Sequence, residues 1–205
     1  DLAILEDNTD NPNIYLINRS ASASSTGTRI QHFTFDEEWL GEFGNSPNGD
    51  HKGFVRPVCA ALDKSQNLYI TDEATDEINI FTRDGQFCGK INLNNFGSDI
   101  SDVNVCFGTS GISIDIDDNI TVVSRHRNLI VRINKQGLLL NTFGSSGSAP
   151  GQFDMPWGLA IDGQQCIYVA DWRNDRVQKF DQNGEYLRSF GESGDEEGQL
   201  NRPSS

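Results

Sequence analysis

The sequence predicts an all-β protein made of four copies of one four-stranded unit. The copies share an internal register. A turn position recurs at intervals of 48, 52 and 47 residues, at Glu37, Gly85, Gly137 and Gly184. An apolar position keeps the same intervals, at Phe33, Phe81, Ile133 and Phe180. Because the spacing between copies drifts while the register inside each copy is constant, the extra length lies in connecting loops.

Each copy contains four short strands, which in the second copy lie at about 58–62, 67–71, 77–82 and 86–91. The segments LYIT (68–71), ITVV (120–123) and IYVA (167–170) are rich in β-branched and aromatic residues, as is typical of strands. The turns RDGQ, KQGL and QNGE each place glycine where a hairpin requires positive φ. No stretch has the apolar spacing of a long amphipathic helix.

A four-stranded meander of this length cannot bury both of its faces alone, so it must stack against like units. A radial array of blades does this and leaves only short edges. We expect one domain over residues 1–205, with blades at 2–44, 54–92, 107–144 and 153–191 and the start of a further blade at 198–205.

The fourth copy, MPWGLAIDGQQCIYVADWRNDRVQKFDQNGEYLRSFG (155–191), resembles an NHL repeat. The pattern of that repeat is roughly P-x-G-[IV]-A-[VI]-D, Y-V-[AT]-D, N-x-R-[IV]-x-x-F, G. Earlier copies depart from it, with Glu77 and Leu129 at the arginine position and Ser124 at the aspartate position. The resemblance implies a β-propeller, usually of six blades.

Six blades would need about 290 residues, whereas the chain has 205. We therefore expect four blades of a longer protein. The alternatives are a closed four-bladed ring and an open arc, whose unpaired edges would favour self-association.

Composition narrows the classes of partner. The net charge is −14, from 30 acidic and 16 basic residues, which favours solubility and makes nucleic acid an unlikely partner.

No membrane-spanning run or signal peptide is present in the sequence; a secreted or extracellular location is slightly favoured over the cytoplasm. The cysteines, Cys59, Cys88, Cys106 and Cys166, lack zinc-site spacing. Cys59 and Cys166 fall in predicted strands, and a disulfide stays open.

The blade topology predicts a ligand-facing surface. Turns between second and third strands (72–77, 124–129, 171–176) should share one face with the residues that begin each blade. That face would gather Arg56, Arg125, His126, Arg127, Trp157, Trp172, Arg173 and Arg202. Guanidinium groups bind carboxylate or phosphate through two hydrogen bonds, and indoles offer stacking surface. We therefore expect a binding surface for an anionic or aromatic ligand.

Structural roles compete with that interpretation at several positions. The motif residues Asp72, Asp171, Asn174, Arg29 and Arg176 are expected to tie turns together. Trp157 could instead fill the channel wall. The run Asp115 to Asn119 resembles the start of a calcium loop but lacks its glycine and its distant glutamate, so hairpin chemistry is expected there. The acidic run 192–197 is expected to be a solvated connection between blades.

Three functions remain open. The first is an NHL-type binding or scaffold module for a protein or a small anionic ligand, with no cofactor and no catalysis. The second is implied by the resemblance: a metal-dependent propeller enzyme of the lyase or lactonase type, with calcium or zinc at the channel and part of its site outside this chain. The third is a structural role in a larger surface or secreted assembly.

Overall fold

The structure is a computed structural model that describes residues 2–5, 13–18, 29–44, 54–94 and 108–204. It is all-β, as predicted, with four antiparallel sheets of four strands each. Blade 1 contains β1 (Leu2–Leu5), β2 (Asn13–Asn18), β3 (Arg29–Thr34) and β4 (Trp39–Phe43). Blade 2 contains β5 (Pro57–Leu62), β6 (Leu68–Asp72), β7 (Glu77–Phe81) and β8 (Phe87–Asn92).

The other two sheets repeat this plan. Blade 3 contains β9 (Thr109–Ile114), β10 (Ile120–Ser124), β11 (Leu129–Ile133) and β12 (Leu139–Phe143). Blade 4 contains β13 (Pro156–Ile161), β14 (Ile167–Asp171), β15 (Arg176–Phe180) and β16 (Tyr186–Phe190). Short 3-10 turns follow β10 (Arg125–Arg127) and β14 (Trp172–Asn174). Cys59 lies in β5 as predicted, whereas Cys166 precedes β14 by one residue; Cys106 lies outside the described residues.

The turn between the third and fourth strands confirms the predicted glycine chemistry. Gly85, Gly137 and Gly184 have φ of +80°, +80° and +85°. Glu37 adopts the same left-handed conformation, with φ of +66°. A side chain is strained there, because its Cβ crowds the backbone. Blade 1 therefore reproduces the turn of the other blades with a residue that fits it less well.

The turn between the first and second strands is held by an aspartate in blades 2, 3 and 4. One oxygen of Asp115 accepts the N–H groups of Asp117 and Asn119, both at 2.8 Å. Its other oxygen lies 2.7 Å from the Arg132 guanidinium. Asp63 and Asp162 accept the corresponding two N–H groups of their own turns. The prediction of hairpin chemistry over 115–119 is confirmed by these contacts.

The chain divides into two compact units, Asp1–Ile91 and Asn92–Ser205. In the first unit, blades 1 and 2 enclose an aromatic core. Phe81 of β7 lies 5.0 Å from Phe43 and 5.6 Å from Phe54, measured between ring centroids. Ile30 and Leu68 are fully buried beside them. Burial of large apolar side chains is the main force that joins the two blades.

The second unit repeats this packing with blades 3 and 4. Phe180 of β15 lies 4.9 Å from Phe143 and 5.6 Å from Phe153. Ile130 and Ile167 occupy the positions of Ile30 and Leu68 and are buried to the same degree. The recurring apolar position at Phe81 and Phe180 is thus the centre of each core between two blades.

The loops that follow blades 3 and 4 have one common structure. Ser146 forms an isolated parallel bridge with Phe153, and Ser193 forms the equivalent bridge with Leu200. Within the acidic run 192–197, the N–H of Glu196 donates to the Gln199 side chain. Residues of this run are mostly exposed, as predicted, but they belong to a regularly hydrogen-bonded loop.

Each of these loops is clasped by a side chain from the blade before it. Asn128 Oδ1 accepts the backbone N–H of Met155 at 2.8 Å. Asp175 Oδ1 accepts the N–H of Arg202, also at 2.8 Å. Both acceptors have left-handed backbones, with φ of 55° and 52°. Asparagine and aspartate tolerate this conformation better than most residues. We call these two contacts the clasps; each spans 27 residues.

The part of the chain that the structure describes contains no helix long and apolar enough to cross a membrane.

Candidate ligand-binding surface

Five predicted side chains lie in contact with one another in the second unit, and we call them the Arg/Trp surface. Arg125 begins the 3-10 turn after β10, and Trp157 is the second residue of β13. Trp172 and Arg173 begin the 3-10 turn after β14, and Arg202 lies in the loop after β16. Strand ends thus deliver residues from the turns and from the starts of blades to one place, as the blade topology predicts.

The members of the Arg/Trp surface stack in series. The Arg125 guanidinium lies 4.4 Å from the centroid of the Trp157 ring. Trp157 and Trp172 lie 6.3 Å apart with their planes inclined at 46°. Arg173 and Arg202 lie 5.5 Å and 5.2 Å from the Trp172 ring. The three guanidinium–ring distances fall within the range of cation–π attraction, and the two indoles lie within the range of aromatic pairs.

Arg125 departs from the prediction of a freely exposed side chain. It is only 8 % exposed, because Trp157 covers its guanidinium. Its backbone N–H donates to the carbonyl of Gly108 at 3.3 Å, and its Nη2 lies 3.2 Å from His126 Nε2. Arg125 therefore supports Trp157 from behind. His126 and Arg127 are exposed, as expected for residues in this turn.

Buried hydrogen bonds confirm the structural roles predicted for Asp72, Asp171, Asn174 and Arg176; the side chain of Arg29 lies outside the described part of the chain. Asp171 is fully buried and accepts hydrogen bonds from the Asp154 N–H, Asn174, Arg176 and Gln178 at 2.8–3.0 Å. Arg176 also donates to the carbonyls of Ala149 and Gln152. In blade 2, Asp72 accepts the N–H groups of Val55, Arg56 and Ala74. Asp171 fixes the backbone from which Trp172 and Arg173 of the Arg/Trp surface project, and Asp72 does the same for Arg56 in the first unit.

A carboxylate lies next to each of the two exposed arginines, Arg173 and Arg202. Arg173 donates its backbone N–H to the Asp154 carbonyl at 3.1 Å, and its guanidinium lies 3.7 Å from the Asp154 carboxylate. The Arg202 N–H and the Ser193 side chain donate to Asp175, which holds the pKa of that carboxyl below its ordinary value. Asp175 therefore stays ionised at neutral pH and keeps its clasp.

A polar cleft adjoins the surface and was not anticipated from the sequence. Its volume is about 360 Å³, and it is lined by Asn128, Ser146, Gly147, Ser148, Phe153, Asp154 and Asn174. Asp154 belongs to its wall and also contacts Arg173. The available signal was the repeat of GSSGSAPGQF (144–153) as GESGDEEGQL (191–200), which marks a loop of defined structure rather than a variable connection.

Arg56, the remaining candidate, belongs to the first unit. It is exposed, and its guanidinium lies 3.6 Å from the Glu73 carboxylate. Within the described ranges, no group of three or more His, Cys, Asp or Glu side chains lies close enough to hold a metal ion. The expectation of no cofactor, the alternative of a metal at the channel and the binding role of the candidates all stay predictions.

The repeated four-stranded blades define a module of the β-propeller type. Residues 153–180 match the family model of the NHL repeat, which confirms that the fourth copy resembles this repeat. A comparison with curated protein sequences gave no match.

Solved structures with the same fold include an enzyme and a protein of unknown function. A protein of unknown function from Bacteroides thetaiotaomicron VPI-5482 is 17% identical, with a TM-score of 0.67 over 94% of this chain and 50% of that chain. Virginiamycin B lyase from Staphylococcus aureus is 18% identical, with a TM-score of 0.57 over 86% of this chain and 51% of that chain. A catalytically inactive variant of that lyase with quinupristin is 14% identical, with a TM-score of 0.60 over 91% of this chain and 54% of that chain. The chain spans about half the length of these structures, and at such identities the likeness shows the fold alone.

Proposed function

We propose that this propeller module binds a protein or a small ligand through an anionic group, and that the Arg/Trp surface is the contact. The observation that supports this most directly is the stacked series from Arg125 through Trp157 and Trp172 to Arg173 and Arg202. Such a series is not required by the blade, because the residues that hold the turns together are Asp171, Asn174 and Arg176.

Stacking prepares the two exposed arginines for anion recognition. A guanidinium that lies on an indole keeps its N–H groups at the edge, where they can donate in pairs to a carboxylate or phosphate. Trp172 contacts both Arg173 and Arg202, so their side chains lose less conformational freedom when a ligand binds. Two such groups beside one ring suit a planar or branched anion.

The acidic body favours a particular kind of partner. A net charge of −14 repels polyanions at long range, so nucleic acid is disfavoured even though the surface is locally cationic. A short acidic segment or a single small anion experiences mainly the nearby arginines, because charges beyond about 8–10 Å are screened at physiological salt. The proposed ligand is therefore a compact anionic group.

Titration with defined probes tests the proposal. A glutamate-rich peptide and inorganic phosphate are titrated separately by calorimetry and by indole fluorescence. The double variant R173A/R202A should weaken binding about tenfold or more, since each lost charged hydrogen bond is worth about 1.5–3 kcal/mol. R188A removes one positive charge from an exposed position in β16 and should leave binding within about twofold. Equal affinity in the two variants, or no binding of either probe, contradicts the proposal.

A lyase-type activity is the second candidate. It is favoured by the fold shared with virginiamycin B lyase and by the exposed His126 beside Arg125. The Arg125 guanidinium lies 3.2 Å from His126 Nε2 and can only donate hydrogen bonds, so the contact positions the imidazole at the surface. Stoichiometric divalent metal retained through dialysis, with quinupristin turnover that is lost in H126A, would support this function. Absence of turnover in the metal-supplemented protein would reject it.

A further inference from the structure

The polar cleft beside the Arg/Trp surface is built by a loop whose structure recurs after blade 4. Gly147 and Gly194 occupy equivalent positions, and a Cβ at either would meet the side chain of the glutamine five residues further on. Those glutamines, Gln152 and Gln199, each accept a backbone N–H of their own loop. The residues that shape the loop therefore recur in both copies, and residues that differ between the copies are not needed for its shape.

Three side chains that line the cleft differ from their equivalents in the second loop and its clasp. The cleft has Asn128, Ser148 and Asp154, and the second loop has Asp175, Asp195 and Asn201. A hydroxyl or an amide thus stands where the second loop has a carboxylate, and a carboxylate stands where it has an amide. Because the loop structure does not dictate these side chains, they are candidates for ligand recognition.

The exchange of aspartate for asparagine at the clasp reverses one hydrogen bond. In the second loop the Ser193 side chain donates to Asp175. In the cleft, Asn128 Nδ2 donates to Ser146 Oγ at 2.8 Å, because Asn128 Oδ1 already accepts a backbone N–H. A serine hydroxyl that accepts a hydrogen bond still has its own hydrogen to donate, so the cleft gains a donor at Ser146.

The cleft also contains acceptors. The Asp154 carboxylate is 47 % exposed and lies 3.7 Å from the Arg173 guanidinium, which is beyond hydrogen-bond distance. Asn174 Nδ2 donates to the Gly147 carbonyl and to Asp171, both at 2.9 Å. These two contacts fix the amide and leave Asn174 Oδ1 as an acceptor. Donors and acceptors therefore lie side by side in the cleft.

A saccharide suits this combination of groups. Each hydroxyl group of a sugar can both donate and accept a hydrogen bond. The volume of about 360 Å³ lies within the range of about 300–1,000 Å³ that is usual for small-molecule sites. Arg173, which contacts the Asp154 wall of the cleft, adds a guanidinium suited to a carboxylate. A sugar that carries a carboxylate can therefore contact the hydroxyl-binding groups and the guanidinium together.

We propose that the cleft binds a carboxylated saccharide, a uronate, whose hydroxyl groups contact Ser146, Ser148 and Asp154 while its carboxylate contacts Arg173. This inference rests on the proposed function, because it names the chemical class of the compact anionic ligand and adds a second set of contacts to it. Neutral sugars lack the charged contact and simple anions lack the contacts in the cleft, so both should bind more weakly.

Titration of the chain with D-glucuronate, D-glucose, acetate and phosphate, followed by indole fluorescence and by NMR of the ligand, tests this inference. Glucuronate should bind at least about tenfold more tightly than glucose or acetate, since a hydrogen bond to a charged group can change an affinity by that factor. D154A and S148A should each weaken glucuronate binding about threefold or more, and neither should weaken acetate binding.

The second loop supplies the matched control. N201A changes the equivalent of Asp154 and should leave glucuronate binding at the wild-type value. D154N replaces D154A if the alanine variant does not fold, because asparagine stands at the equivalent position 201. Urea denaturation of each variant verifies that it is folded.

Two results would overturn the inference: glucuronate that binds no more tightly than acetate, or glucuronate binding that folded D154A and S148A leave unchanged. In either case, phosphate binding that is lost in R173A/R202A would leave the proposed function standing. If R173A/R202A changes the binding of neither phosphate nor glucuronate, the proposed function fails and the inference fails with it.

Discussion

Replacement of Asp171 by alanine tests whether the network beneath the Arg/Trp surface holds blade 4 together. The carboxylate is fully buried and accepts four hydrogen bonds, one of them from Arg176 Nε at 2.9 Å. The Arg176 side chain is only 13 % exposed, and Gln178 is fully buried. The alanine variant would therefore leave a charged and a neutral donor in the interior without their acceptor.

The expected loss in the free energy of unfolding follows from the buried donors that lose their acceptor. Removing one partner of a buried ion pair costs about 3–5 kcal/mol, and a buried neutral donor that loses its acceptor costs about 1–3 kcal/mol. Arg176 keeps its contacts with the Ala149 and Gln152 carbonyls, and Gln178 still donates to Gln152, which reduces the sum. We expect D171A to lower the free energy of unfolding by about 3–5 kcal/mol.

Urea denaturation followed by Trp fluorescence measures this change. Trp39 belongs to the first unit, so a W39F background makes the signal report on Trp157 and Trp172 in the second unit. D181A is the matched control: Asp181 also accepts two turn N–H groups but lies in an exposed turn, and its loss should cost about 1 kcal/mol. A D171A cost no greater than that of D181A, at unchanged dependence on urea, would refute the reasoning.

Three further predictions concern a glycine, an arginine and a histidine. G184A should cost about 2 kcal/mol or more in urea denaturation, since φ is +85° and the new Cβ would lie 2.4 Å from Phe143; G163A, with open space around its Cβ, should cost less than about 1 kcal/mol. R125A should cost about 1–2 kcal/mol, because the buried guanidinium stacks on an indole; a cost below about 0.5 kcal/mol would show a surface residue. The pKa of His32 is lowered by burial and, to a smaller extent, by the Arg83 guanidinium. The contribution of neutral His32 to the free energy of unfolding of the first unit is therefore fully present above about pH 6.5 and is lost as the pH falls toward the folded-state pKa. Urea denaturation at a series of pH values should show this slope, and H32Q should abolish it.

The fold was predictable because its determinants are local and repeated. A glycine with positive φ in a four-residue turn leaves a signal within a few residues, and the three copies of that signal, at Gly85, Gly137 and Gly184, confirm one another. Aromatic residues at Phe81 and Phe180 keep the intervals of the turn glycine, so the centre of each core was visible as well. The same comparison of the four copies shows Glu37 in place of the turn glycine in blade 1.

The site was less predictable because its contacts join residues that are distant in the chain. Burial of Arg125 depends on Trp157 of the next blade, and neither residue belongs to the recurring motif. The clasp from Asn128 to Met155 also joins residues that are far apart in the chain, 27 positions from one another. Topology can assign these residues to a common face, but side-chain stacking depends on rotamers and loop conformations that leave no periodic pattern in the sequence.

The clasps from Asn128 to Met155 and from Asp175 to Arg202 have a mechanical consequence. Each is one side-chain hydrogen bond that ties the first residues of the following segment to a turn of the preceding blade, so a pulling force on that segment loads this bond together with a few loop contacts such as that of Asp154 with Asp171. Under tension we expect these segments to detach one at a time, each release being a small step. Repeat proteins whose stability is a sum of neighbouring contacts come apart in this stepwise manner, and the Met155 and Arg202 amide hydrogens would exchange with solvent as each step occurs.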